Sequence, residues 1–138
     1  MKKILSINLL ILLLFMTSCA HNPSHTSDGT KSQVEIRNYQ AKMYETNSKE
    51  KIMNAVISTM LDLGFIIEKA DDELGVITGL SSLNNSKVTI SIRKSSSNNI
   101  IVRLNAQHNN KPIEDPMAYN NFFNSLSQSL FLQAHEVE

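Results

Sequence analysis

The chain has 138 residues, enough for one ordinary domain. It carries 13 basic and 13 acidic residues, so it lacks the basic excess that a nucleic-acid partner would favour. It has one cysteine, Cys19, which excludes an internal disulfide and leaves a thiol that needs an explanation in an exported protein.

Residues 1–19 begin with Lys2 and Lys3 and continue into an apolar stretch whose uninterrupted part, Leu9 to Met16, is eight residues long. That is a signal-peptide core behind a positive start. Even counted from Ile4, the stretch of 13 residues is shorter than the ~20 that a spanning helix needs. Met16-Thr17-Ser18-Cys19 resembles the bacterial lipobox, with methionine in the usual leucine place. The resemblance implies diacylglycerol on the Cys19 sulfur, cleavage before Cys19 and acylation (palmitate or similar) of its new amino group. Each buried CH₂ contributes about 0.8 kcal/mol, so two or more chains anchor a protein durably. Ala20 follows, not aspartate, and by resemblance to Gram-negative sorting this implies the outer membrane, facing the periplasm. Loss of residues 1–18 removes Lys2 and Lys3 and leaves 11 basic against 13 acidic residues, a net charge of −2 with histidine neutral.

Residues 20–33 are small and polar, with Pro23 and Gly29, and read as a flexible tether. As a coil it would reach about 20 Å, and about 50 Å if drawn straight. His21 and His25 have a spacing that binds metal on a helix, but nothing in this composition favours a helix, so no metal site is expected. Three segments result: a signal peptide at 1–18, a lipidated tether at 19–33, and a single domain at 34–138.

Within the domain, alternation at Val34 and Ile36 changes phase at Tyr39, Ala41 and Met43, which predicts a strand over 34–44 with a bulge near Arg37–Asn38. Asn47, with Glu50 three residues on, matches a capping box, and Thr46 is the other candidate cap. Ile52, Ala55, Val56, Met60 and Leu63 then trace one face of a helix, widened by Met53 and Ile57. Gly64 is placed to end that helix in the left-handed conformation. Residues 65–70 and 74–80 read as a hairpin around Asp71-Asp72-Glu73. Residues 87–94 and 100–107 form a second hairpin, with Val88, Ile90, Ile92, Ile100, Val102, Leu104 and Ala106 inward. Residues 108–114 read as a loop. Asp115-Pro116 starts a second helix carrying Tyr119, Phe122, Phe123, Leu126, Leu130 and Ala134, ending near His135.

The predicted class is α+β: a mostly antiparallel five-stranded sheet with two helices on one face, in the order β-α-β-β-β-β-α. Residues 44–53, 61–71 and 74–79 resemble a family of uncharacterised Gram-negative lipoproteins, over most of residues 35–138. The element order is similar to BamC-type helix-grip domains of outer-membrane assembly lipoproteins. Neither resemblance carries catalytic or binding residues onto this chain beyond Cys19.

No motif of an enzyme is visible. Gly75 and Gly79 fall in a strand, where glycine marks a bulge or a close contact, and they build no phosphate loop. His108 and His135 lack the turn that presents a catalytic serine. Asp71 to Glu73 lack the ligand spacing of a calcium loop. The outward sheet face carries Arg93, Arg103, Asn105 and Gln107, with Ile101 among them, and could dock a protein partner. The edge strand at 34–44 offers docking by strand addition. The expected function is therefore a non-enzymatic accessory or structural component of an envelope protein complex, without cofactor or metal. The alternative is a small-ligand module with a pocket between helix and sheet, lined by residues such as Met60, Ile90 and Phe123.

Overall fold

The computed structural model describes residues 32–133. The described residues fall within one compact unit. The predicted signal peptide, Cys19, His21, His25, the predicted tether up to residue 31, and Ala134 and His135 lie outside the described residues.

The elements run α1 (Gln33–Tyr39), β1 (Ala41–Tyr44), α2 (Lys49–Asp62), β2 (Phe65–Asp71), β3 (Val76–Ser81), β4 (Ser86–Lys94), β5 (Ile100–His108), β6 (Lys111–Pro112) and α3 (Pro116–Gln133). The sheet order is β1-β5-β4-β3-β2, with β6 also pairing β5, and every pair is antiparallel. This is the α+β architecture read from the sequence, with one helix and one short strand added. Strands β2 to β6 form a meander, so local hairpins build nearly all of it.

Two expectations fail at the domain's start. Residues 33–39 are helical, not the first half of a bulged strand. Ser32 Oγ accepts from Glu35 N at 3.2 Å, and Ser32-Gln33-Val34-Glu35 is a capping-box sequence. The apparent slip in alternation between Ile36 and Tyr39 is the three-residue spacing of a helical face. The strand survives only as β1, at the sheet edge. There Lys42 lies opposite Val102 and Tyr44 opposite Ile100, so those two face the helices, while Met43 is 51% exposed. Lys42 Nζ, on the inner side of the edge, donates to Ser127 Oγ on α3 at 3.2 Å. An inward lysine blunts an edge against further pairing.

Helix α2 begins one residue later than predicted. Ser48, not Asn47, is the cap, and its Oγ accepts from Lys51 N at 3.2 Å. The helix buries Ile52, Met53, Ala55, Val56, Thr59 and Met60. Gly64, at φ +78°, ends it as expected. Helix α3 starts as predicted: Asp115 Oδ1 accepts from Met117 N at 3.0 Å, and Pro116 occupies the first turn. It buries Tyr119, Phe122, Phe123 and Leu126. Both helices cover the face formed by Ile77, Val88, Ile90, Ile92, Ile100, Val102 and Leu104, which makes one two-layer core.

Two glycines have separate reasons. Gly75 lies in the β2–β3 turn at φ +67°, not in a strand as predicted. Its carbonyl accepts from Ile92 N at 2.7 Å, and a Cβ there would collide with the Ile92 carbonyl. Gly79 does lie in β3, where a Cβ would stand 2.5 Å from Met60 Cε, so it lets α2 settle on the sheet.

The predicted loop at 108–114 contains a further hairpin. Asn109 (φ +49°) and Asn110 (φ +63°) form a two-residue turn with both residues left-handed, and Ile113 N returns to Ala106 O at 2.9 Å. At the other edge of the sheet, the β2–β3 register shifts between Ile67 and Lys69. Glu68, at that bulge, pairs with Lys87 at 3.3 Å.

Candidate functional site

The face of the sheet turned away from α2 and α3 is polar. Along it, Arg93 lies opposite Ile101, Ser91 opposite Arg103, Thr89 opposite Asn105, and Lys87 opposite Gln107. Helix α1 rises beside this face and makes an open cavity of about 500 Å³. Ile36, Arg37 and Gln40 come from the helix side, and Thr89, Arg103, Asn105 and Gln107 from the sheet.

The position of α1 is fixed by several ties. Ile36 is buried, and the Tyr39 ring lies 5.2 Å from that of Tyr119 at a 49° tilt. Tyr39 Oη donates to Glu114 O at 2.9 Å, and Gln40 Nε2 to Tyr119 Oη at 3.4 Å. Gln40 O accepts from Leu104 N at 2.9 Å, which joins the end of α1 to β5 directly beside Arg103.

Arg103 is the distinctive group. Its side chain is half-buried, and among the described residues nothing accepts a hydrogen bond from its Nε, which is closed off from solvent. A buried donor left without a partner costs about 1–3 kcal/mol. Arg37 adds a second, exposed cation on the cavity wall.

Of the predicted site residues, the fold brings Arg103, Asn105 and Gln107 together and leaves Arg93 out. Arg93 shares the face but sits at the exposed far end of β4 and does not line the cavity. Arg37 and Gln40 are not among the residues the sequence points to, because a strand over 34–44 does not bring them beside Arg103. The Ser32-to-Glu35 capping pattern was the signal that could have found them.

The second candidate, a pocket at Met60, Ile90 and Phe123, is filled. Those side chains are 0%, 0% and 4% exposed and belong to the core. Open space lies instead at the other end of the two layers, where a cavity of about 290 Å³ is walled by Phe65, Val88, Leu104, Tyr119 and Phe122.

Among the described residues, the buried Tyr44 Oη also has no hydrogen-bond partner, but it does not line the Arg103 cavity. The acidic turn at 71–73 and His108 have structural partners. Asp71 Oδ1 accepts from Leu74 N at 2.9 Å, and Lys69 Nζ is 3.2 Å from its other oxygen. The Leu74 amide and then Lys69 hold this carboxyl below its ordinary range. Lys49 Nζ donates to the carbonyls of Asp72 and Glu73, so α2 ties down this turn. His108 Nε2 faces the Asn109 side-chain amide nitrogen at 3.1 Å, and Nδ1 lies 3.4 Å from Ser86 Oγ. With that amide donating to Nε2, a neutral ring carries its proton on Nδ1, pointing at the serine. A general base would need the reverse.

Fold and site together define a small α+β domain with a polar cavity on its uncovered sheet face. No protein-family model matches the chain, and no curated protein matches it. Among the described residues, no helix is long and apolar enough to cross a membrane.

Proposed function

We propose that the chain is a lipid-anchored protein of the bacterial envelope, whose domain joins an envelope protein complex by binding rather than catalysis. Cys19, at the end of the apolar leader, carries the acyl chains that hold it on the periplasmic face of the outer membrane. The tether lets the domain reach a partner while the anchor stays in the lipid.

The observation that carries the docking part is the unsatisfied Arg103 Nε beside Arg37, Asn105 and Gln107. The cavity lining holds two cations, Arg37 and Arg103, against one acidic residue, Glu114, together with the amides of Gln40, Asn105 and Gln107. A partner segment bearing a carboxylate or exposed carbonyl oxygens would meet the accessible part of the Arg103 side chain, and a shift of that side chain toward it would give Nε its missing acceptor. Charge-assisted hydrogen bonds of that kind are the strong ones. Arginine's fixed fork of donors also gives such contacts geometric specificity.

The test is crosslinking in intact cells followed by affinity capture, comparing the wild type with Arg103→Met and Arg93→Ala. A specific envelope partner should be captured by the wild type and by Arg93→Ala, and lost with Arg103→Met. Equal capture by all three, or no specific partner with the wild type, would remove the basis of the proposal.

A further inference from the structure

The core is solid at one end and hollow at the other, and sequence explains the difference. Along the inward face of β4 and β5, the positions from Ile90 to Leu104 hold Ile, Val and Leu. Towards the opposite end the inward places pass to small residues: Ser81 closing β3, Ser86 opening β4, and Ala106 opposite Val88. All three are buried, yet none is large enough to reach α3. The aromatic side chains Phe65, Tyr119 and Phe122 wall the space that results without filling it.

Three properties of this space select its occupant. The first is chemistry. Among the described residues lining it there is no Asp, Glu, Lys, Arg or His. An ionised group placed inside would be desolvated with no counter-charge, at a cost of several kcal/mol. The second is size. At about 290 Å³ the cavity has nearly twice the volume of the ~150 Å³ dry apolar void that holds one benzene, so it has room for roughly ten carbon atoms. The third is access. Leu63, Leu83, Asn84, Ala118 and Asn121 line it yet are exposed, so they form a mouth, and Leu83 stands 87% exposed there. The mouth is apolar on its leucines and offers the Asn121 amide and the Asn84 amide nitrogen, Asn84 Oδ1 already accepting from Ser86 N at 3.1 Å. These donors suit a neutral hydroxyl or ester oxygen.

The polar groups inside are already engaged. Ser81 Oγ accepts from Leu83 N at 3.3 Å, Ser86 Oγ meets His108 Nδ1 at 3.4 Å, and Tyr119 Oη donates to Ile113 O at 2.6 Å. They stabilise the walls and make no demand on a ligand. Apolar contact and shape are left to supply the affinity, as in most small-molecule sites.

We propose that this hollow end of the core is a binding site for one uncharged aliphatic chain of roughly ten carbons, its neutral polar end held at the Asn84–Asn121 mouth. The site lies on the opposite face of the sheet from the Arg103 side chain, with Ala106 the one residue common to both linings, and it does not depend on the docking proposal.

Isothermal titration of the protein with decyl alcohol tests it, with decanoate at pH 8 as the charged comparison. Saturable one-to-one binding of the alcohol is expected, with decanoate at least ten-fold weaker. Ala106→Leu, which fills the space from the sheet side, should reduce alcohol binding at least ten-fold while leaving the unliganded Tm equal or higher. If that variant does not fold, Ala118→Leu at the exposed mouth should produce the same loss of binding. Arg103→Met should leave alcohol binding unchanged, so failure here and failure of the docking proposal are separable. No saturable binding, equal affinity for decanoate, or undiminished binding in the filled variants would overturn the proposal.

Discussion

Gly79→Ala sets two measurable effects against each other, and the structure decides the sign. A glycine inside a strand costs roughly 0.5–1 kcal/mol relative to alanine through lost backbone freedom, so an alanine in free space would stabilise. Here the added methyl would stand 2.5 Å from Met60 Cε and 3.0 Å from Ile66 O. The Ile66 carbonyl belongs to the neighbouring strand and cannot retreat without disturbing the β2–β3 ladder. Met60 is fully buried, so its methyl must take another rotamer inside a close-packed core. Overpacking of this kind costs about 1–3 kcal/mol, which outweighs the gain. The net loss is then on the order of 1 kcal/mol, and for a domain of this size that lowers Tm by about 4–8 °C. Thermal denaturation followed by circular dichroism measures it. In a Met60→Val background, where the offending methyl is gone, the same substitution should cost about 0.5 kcal/mol less or better, a coupling within the range of contacting residues. An unchanged or raised Tm for Gly79→Ala would refute the packing of α2 on β3.

Arg103→Met should leave Tm equal or slightly higher, because it removes a stranded donor and keeps the apolar stem. A fall of several degrees would mean that the arginine stabilises the domain itself. Asp71→Asn should lower Tm at pH 7 and lose that effect in acid. The Asp71 carboxyl titrates lower in the folded domain, held there first by the Leu74 amide and then by Lys69. Its stabilisation is therefore present above the unfolded value of about 3.9 and disappears as pH falls through the folded one. A Tm gap that persisted at pH 2 would contradict the sign. Asn110→Val should destabilise by about 1–3 kcal/mol by forcing a β-branched residue to φ +63°, and should speed hydrogen exchange at the Ile113 amide, whereas Asn110→Gly should leave both nearly unchanged.

Strands β4 and β5 are legible because alternation of Ile and Val with polar residues reports a half-buried sheet directly, and β3 is legible as the return of a hairpin around Asp71-Asp72-Glu73. The start of α3 was legible because Asp115-Pro116 combines a cap with a residue made for the first turn. Helix α1 was not, since Val34 and Ile36 fit alternation until Tyr39 and only the Ser32 cap shows the competing structure. Its loss concealed Arg37 and Gln40, two of the three residues on the polar cavity's helix side. The β6 hairpin was missed because Asn109-Asn110 reads as generic loop composition until both residues are seen at positive φ. Arg93 and Arg103 looked equivalent on one face; only the strand register and the neighbouring helix distinguish them. The apolar cavity was illegible for a different reason. Ser81, Ser86 and Ala106 at inward places look like weak core positions, and emptiness depends on which side chains face them across the layers.

Attachment through Cys19 underlies the whole functional account, and intact-mass analysis of the protein extracted from native envelopes tests it most directly. The account predicts a chain that begins at residue 19, with the added mass of a diacylglycerol and an amide-linked acyl group. A chain that retains Met1, or one that carries an unmodified sulfur at residue 19, would contradict it.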